Sequence, residues 1–264
     1  MTARRTETVV LLHALFLDSS MWQSQRRALE RLGHSVLAFD QRGFGGTPLG
    51  TDVPALDTVA DDLAAALDAE GHDRVVLVGS SMGGYVAMRF LQRHPHRVCG
   101  LVLSATRASA DSPEEVARRE SFARLMEDER VRDGLLAQTM PLLLGATTRA
   151  DRPELLERLL RDVAQGPPAA VAWAQRAIAA RPDSFAVLGA TTVPAVVVAG
   201  TEDELVPLEE ARRMAAALPQ GQLVTVAGAG HLQPLEAPEV FTGVLTRLLD
   251  DIDEQERVPG GRTC

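Results

Sequence analysis

Short apolar runs alternate with stretches of helical period along most of this chain, and that alternation narrows the possible folds more than any other feature. Val9–Leu12, Val36–Phe39, Val75–Val78, Val98–Ser104, Val196–Ala199 and Leu223–Val226 are short, apolar and rich in valine, as buried strands are. Between them, Ser20–Leu32, Leu56–Ala69, Met82–His94, Leu208–Leu218 and Pro238–Leu249 carry helical spacing, with Gly33, Gly71 and Gly221 where helices should stop. Parallel strands need long crossovers, and crossover helices cover both sheet faces, so the pattern predicts an α/β fold around a mostly parallel sheet. With 264 residues, 45% of them hydrophobic, the chain can bury one sizeable core.

The alternation stops between Ser104 and Val196. That interval carries amphipathic segments at Pro113–Glu129, Val131–Leu144, Pro153–Gln165 and Pro167–Ala180. Four helices inserted between strands predict a cap over the strand ends, with residues 107–189 as cap and 1–106 plus 190–249 as core. A cap excludes water and shapes a pocket, so substrate choice is expected to lie there. Phe122, Met126, Met140, Leu143 and Trp173 are candidate pocket walls, although helical spacing alone favours ordinary packing for each. Arg107, just beyond a strand end, is a candidate partner for a substrate carboxylate, with a solvated arginine as the alternative. The charged, Gly- and Pro-containing stretch 250–264 predicts a disordered tail.

The chemistry concentrates at one strand-to-helix junction. Gly79-Ser80-Ser81-Met82-Gly83 follows the run Val75–Val78 and precedes a helical stretch, which is the context of a nucleophile elbow. A serine hydroxyl is a weak nucleophile until a base takes its proton, so Ser81 requires a histidine within reach. Where such an elbow carries the nucleophile, the partners follow in the order serine, acid, histidine, and His231 is the only histidine after His96. It lies in Gly228-Ala229-Gly230-His231-Leu232, beyond the run Leu223–Val226. Gly200-Thr201-Glu202-Asp203-Glu204 follows another strand end and offers three carboxylates. In that context Asp203 is the expected acid, orienting the His231 ring, with Glu202 and Glu204 as solvated members of an acidic turn. The loop His13-Ala14-Leu15 and the residue after the serine nominate the backbone N–H groups of Leu15 and Met82 as oxyanion donors.

Taken together, His13-Ala14-Leu15, Met21-Trp22, Phe39-Asp40-Gln41-Arg42-Gly43-Phe44-Gly45, the elbow, Gly200-Thr201-Glu202-Asp203 and Gly228-Ala229-Gly230-His231 resemble the α/β-hydrolase superfamily over about Val9 to Leu249. The middle section, with Arg118-Arg119-Glu120 and Arg152-Pro153-Glu154-Leu155, is most similar to 3-oxoadipate enol-lactonase-like and cofactor-free perhydrolase-like members. The resemblance implies a serine hydrolase acting on a small ester or lactone through an acyl-enzyme, needing no metal or organic cofactor. Members commonly carry glycine where this chain has Ala14, a residue that resists positive φ. Because His231 must be neutral to act as base, activity is expected to rise from mildly acidic to neutral pH. A perhydrolase, a thioesterase and a hydrolase-fold ligand sensor stay open as alternatives, and serine at the elbow disfavours an aspartate-nucleophile enzyme.

Several other readings fail. A net charge of −9 and the absence of a basic, aromatic-studded run argue against nucleic acid. No apolar stretch reaches the roughly 18 residues of a membrane span. Arg4-Arg5 before an apolar run resembles a secretory signal only superficially, since His13 interrupts it and no small-residue cleavage pattern follows. Cys99 and Cys264 do not indicate a disulfide framework, and a cytoplasmic location is expected. Gly43-Phe44-Gly45-Gly46 lacks the last glycine of a dinucleotide loop, and His94-Pro95-His96 lacks further metal ligands.

Overall fold

The structure, a computed structural model, describes residues 8–257. Six strands form one sheet: β1 (Thr8–Leu12), β2 (Ser35–Phe39), β3 (Val75–Ser80), β4 (Val98–Ser104), β5 (Ala195–Gly200) and β6 (Gly221–Val226). Their order across the sheet is β2-β1-β3-β4-β5-β6, and every pairing is parallel. The central strands β1, β3, β4 and β5 are buried at every position, while the edge strands β2 and β6 are mostly half-buried or exposed. That contrast explains the continuous valine and leucine runs, since a strand covered on both faces has no solvent side to leave polar.

The register brings the strand ends level. Leu12 lies opposite Gly79, Ser80 opposite Ser104, Ser104 opposite Val198, and Gly200 opposite Val226. The loops leaving the carboxyl ends of β1, β3, β4, β5 and β6 therefore share one rim. The order in which strands are added reverses between β1 and β3, which is where open α/β sheets leave a crevice.

Helices α1 (Gln23–Arg31), α2 (Leu56–Glu70) and α3 (Met82–Arg93) connect the first half. Gly71 ends α2 in the left-handed region at φ 73°. Between β4 and β5 the chain forms α4 (Pro113–Glu127), α5 (Glu129–Thr139), α6 (Ala146–Asp151), α7 (Pro153–Ala164), α8 (Pro168–Ala179) and α9 (Phe185–Gly189). These helices fill the interval in which a cap is expected, with two short ones more than the periodicity showed. The helix expected over Val131–Leu144 breaks at its end into a 3-10 turn, Met140–Leu143, because Pro141 has no N–H to continue the α ladder. Helix α10 (Leu208–Ala217), the short α11 (Gln233–Glu236) and α12 (Pro238–Arg257) complete the described chain.

Residues 250–257, expected to be disordered, instead extend α12. Leu245, Leu248, Leu249 and Ile252 form its buried stripe, and Ile252 packs against the strand β4 at Gly100, where a Cβ would collide with it. The rest of the expected tail, 258–264, lies outside the described residues. Cys99 in β4 is disulfide-bonded, against the expectation, and Cys264 lies outside the described residues. No helix among the described residues is long and apolar enough to cross a membrane.

Candidate active site

Ser81 sits between β3 and α3 at φ 51° and ψ −111°, a conformation that side chains rarely adopt. Its N–H donates to the Ser104 carbonyl at 2.8 Å, anchoring the turn to the end of β4. The flanking glycines are required by packing. A Cβ at Gly79 would enter the Gly83 carbonyl, and one at Gly83 would enter the Leu12 carbonyl, so side chains there would push α3 off the sheet. Holding a serine at this backbone geometry costs about 1–3 kcal/mol, offset by the packing around it.

The three residues singled out by chain order meet at the common rim. Ser81 Oγ lies 2.8 Å from His231 Nε2, and His231 Nδ1 lies 3.1 and 3.0 Å from the two oxygens of Asp203. A carboxylate can only accept, so the proton resides on Nδ1 and Nε2 is left to accept from the serine hydroxyl. Asp203 also accepts the N–H groups of Leu205 and Val206 at 2.9 and 3.1 Å. Burial pushes the Asp203 carboxyl up, but His231 and these two N–H groups outweigh it and hold the group below the usual carboxylate range.

Glu236 and Gln233 hold the His231 loop, and sequence reasoning missed both. Glu236 is buried and accepts three backbone N–H groups: Gly230 and Leu232, each at 2.9 Å, and Gly145 of the β4–β5 insertion at 2.7 Å. It thus grips the chain on both sides of His231. Gln233 donates to the Gly230 carbonyl and accepts from Ser104 Oγ, tying the loop to β4. The available signal was polar residues at 233 and 236 within an otherwise apolar stretch, where a solvated side chain was not required by the pattern.

The neighbours of Asp203 are not merely solvated. Glu202 accepts the Thr147 N–H and hydroxyl at 2.8 and 2.7 Å, and those bonds hold its carboxyl below its ordinary range. Glu204 pairs with Arg149 at 3.2 Å. Both fasten the segment after the 3-10 turn to the acid loop.

Of the two nominated amides, Met82 directly follows Ser81 and Leu15 lines the same cavity as Ser81. Met82 is the first residue of α3, so its N–H has no intrahelical acceptor, and the Leu15 N–H has no acceptor among the described residues. Ala14, the position of concern, does not take a positive φ. The strain falls instead on Phe16 at φ 74°, in the turn closed by Leu17 N–H to the Ala14 carbonyl at 3.2 Å. This is the turn position that normally favours glycine. His13 supports the loop from below: Nδ1 donates to the Ala14 carbonyl at 2.9 Å and Nε2 accepts from Gln41 N–H at 3.0 Å. Full burial lowers its pKa, against the Ala14 carbonyl and the more distant Asp40 and Asp18, so it is a neutral structural element.

A cavity of about 300 Å³ opens onto Ser81 and His231. Of the candidate wall residues, Arg107, Phe122 and Leu143 line it. Met126, Met140 and Trp173 do not. Met126 and Met140 are buried among the inserted helices, and Trp173 points to the β2–α2 connection, donating its Nε1–H to the Asp52 carbonyl at 2.9 Å beneath the Arg42 guanidinium. Arg107 is already engaged: its guanidinium reaches Glu115 at 2.6 Å and Asp111 at 2.7 Å. Tyr85, Arg118, Arg119 and Gln175 also line the cavity and were not anticipated. No group of three or more His, Cys, Asp or Glu side chains among the described residues is placed to hold a metal ion.

Known proteins match this chain over most of its length. A putative carbamate hydrolase of Variovorax paradoxus is 30% identical over 246 residues, 92% of this chain and 91% of that protein. A malate-bound thermophilic esterase from Thermogutta terrifontis superposes with a TM-score of 0.89 at 36% identity, covering 94% of this chain and 90% of that one. An enol-lactonase from Burkholderia xenovorans gives a TM-score of 0.84 at 26% identity, covering 95% and 94%. The profile of the alpha/beta hydrolase fold matches residues 7–238, and the chain belongs to that family of hydrolases.

Proposed function

We propose that this protein is a serine hydrolase that cleaves a small carboxylic ester or lactone through an acyl-enzyme. The observation that carries the reading is the unbroken relay from Asp203 through His231 Nε2 to Ser81 Oγ at 2.8 Å, open to a cavity. Ser81 Oγ attacks the carbonyl carbon while Nε2 takes its proton, and the oxyanion is met by the N–H groups of Met82 and Leu15. His231 then returns the proton to the departing alkoxide, leaving an ester on Ser81. Water attacks that ester as Nε2 accepts its proton, and collapse releases the acid and restores the serine hydroxyl. Asp203 holds the ring orientation and stabilises the imidazolium in both halves. Every step uses side chains and backbone of this chain and water alone. The similarity to an esterase and an enol-lactonase supports this substrate class.

A carbamate is a second reading, favoured by the 30% identity to putative carbamate hydrolases; its carbonyl would meet the same serine and the same amides. The test is turnover of p-nitrophenyl acetate. Repeated turnovers should occur, with kcat at least about a thousandfold lower in Ser81→Ala. A single stalled turnover would indicate a sensor, and persistence in Ser81→Ala would remove the serine from the chemistry. Methyl carbamate and methyl acetate, compared side by side, separate the two substrate readings.

A further inference from the structure

Ala14 stands between two peptide planes, His13–Ala14 and Ala14–Leu15, and three of their four polar groups are already bound. The His13 carbonyl accepts from Gln41 Nε2 at 2.8 Å. The Ala14 N–H donates to the thioether sulfur of Met21 at 3.3 Å. The Ala14 carbonyl accepts from His13 Nδ1 at 2.9 Å and from the Leu17 N–H at 3.2 Å. Only the Leu15 N–H is left over, with no acceptor among the described residues. A peptide unit is planar, so the direction of that N–H follows from where its own carbonyl is held and from φ and ψ at Ala14. Pinning the preceding plane at both ends, by Gln41 on the carbonyl and Met21 on the N–H, fixes those two angles.

Met21 is itself held in place. It lies in the 3-10 turn Ser19–Trp22, whose start is capped by Asp18 through the Ser20 N–H at 2.8 Å. Asp40, just after β2, accepts the Ser19 N–H at 2.6 Å and the Ser19 hydroxyl at 3.0 Å. Gly45 makes room for that carboxylate, since a Cβ there would collide with it. Trp22, fully buried, packs its ring against Phe241 of α12, with centroids 5.7 Å apart. Met21-Trp22 and Asp40 to Gly45, stretches that carry the family resemblance, thereby form one support for the loop after β1.

We infer that Met21 is a positioning residue of the oxyanion hole: its thioether, by accepting the Ala14 N–H, sets the direction of the Leu15 amide. Met21 does not line the cavity at Ser81 and acts only through that peptide. Ala14 and Met21 are both almost completely buried, so a lost sulfur is not replaced by bulk water. A thioether is the weakest acceptor among the partners of these two planes, yet no other acceptor among the described residues takes the Ala14 N–H. Leucine has nearly the volume of methionine and no acceptor. With leucine at 21 the buried N–H goes unpaired, and the peptide is free to turn about Ala14 in search of another partner. The inference rests on the ester-hydrolase reading, which makes the Leu15 N–H an oxyanion donor.

Met21→Leu, compared with the unmodified protein and with Trp22→Phe, tests this at a temperature well below all three melting transitions. Trifluoroacetone probes the hole directly. Ser81 Oγ adds to its carbonyl carbon, the serine proton passes to His231 Nε2, and the alkoxide formed occupies the place of the ester's oxyanion. Met21→Leu should lower kcat for p-nitrophenyl acetate about tenfold with KM within about threefold, and should raise the Ki of trifluoroacetone by the same factor. A pocket merely loosened would change KM and leave the two losses unmatched. Trp22→Phe disturbs the packing of the same turn without removing an acceptor, and should lower Tm while kcat and Ki stay within about twofold. Unchanged kcat and Ki in Met21→Leu, or equal losses in Trp22→Phe, overturn the assignment and leave the hydrolase reading standing. An unmodified protein that neither turns over p-nitrophenyl acetate nor binds trifluoroacetone overturns both.

Discussion

Ser81 shows how a single residue can set stability against chemistry. Its left-handed backbone places the hydroxyl toward His231 while the Cβ is held in a conformation that only glycine enters without strain. Ser81→Gly should therefore raise the melting temperature by about 2–6 °C, since relief of roughly 1–2 kcal/mol of strain moves Tm by a few degrees at this chain length. Scanning calorimetry of the two proteins checks it, and an unchanged or lower Tm would mean that the surrounding packing, not the elbow, carries the strain. The place of Ser81 at a strand-to-helix turn was legible because glycines bracket it and a valine run precedes it. The strain at Phe16 was not. Positive φ is betrayed in sequence by glycine or asparagine, and an aromatic at that position gives no such mark. Attention accordingly fell on Ala14, whose backbone takes no positive φ.

At the scale of elements, the His231 loop and the β4–β5 insertion are one mechanical unit. Glu236 of α11 collects N–H groups from both sides of His231 and from Gly145, while Glu202 and Glu204 bind Thr147 and Arg149. Glu236→Gln keeps the shape of the side chain but turns one acceptor oxygen into a donor, so at least one of the three N–H groups loses its partner. The expected result is a kcat lowered by about ten- to a hundredfold with a much smaller change in KM, because a small displacement of the imidazole affects proton transfer more than substrate binding. Steady-state kinetics well below the melting temperature test this, and an equal loss in kcat and 1/KM would place the effect on the pocket instead. Periodicity located the strands and most helices because burial imposes a period on apolar residues. It could not show α6, α9 and α11, which are only four to six residues long and have no repeat to read. Nor could it say which inserted residues face the cavity. Met126 and Phe122 share a helix face, yet only Phe122 lines it, because the cavity ends within one turn.

Across the whole molecule, the sheet is closed from beneath by α12, whose buried stripe runs further than the tail composition suggested. Charged and flexible residue types dominate 250–264, and one buried isoleucine among them was enough to carry the helix onward. Ile252→Ala removes most of that contact with β4 and should cost about 2–4 kcal/mol, lowering Tm by roughly 5–15 °C while kcat at low temperature stays within about twofold. A negligible Tm change in thermal unfolding would show that the last turns of α12 contribute little to the fold. The global charge also conceals the local one, since a chain at −9 presents a recess lined by Arg107, Arg118 and Arg119 together with Ser81. Lastly, Phe16 borders both the cavity at Ser81 and a second hollow beside α7, and its turn also carries Leu15. Partition wall and the Leu15 amide are thereby fused in one tight bend, so a lineage that resculpts the wall through position 16 must re-aim that amide as well.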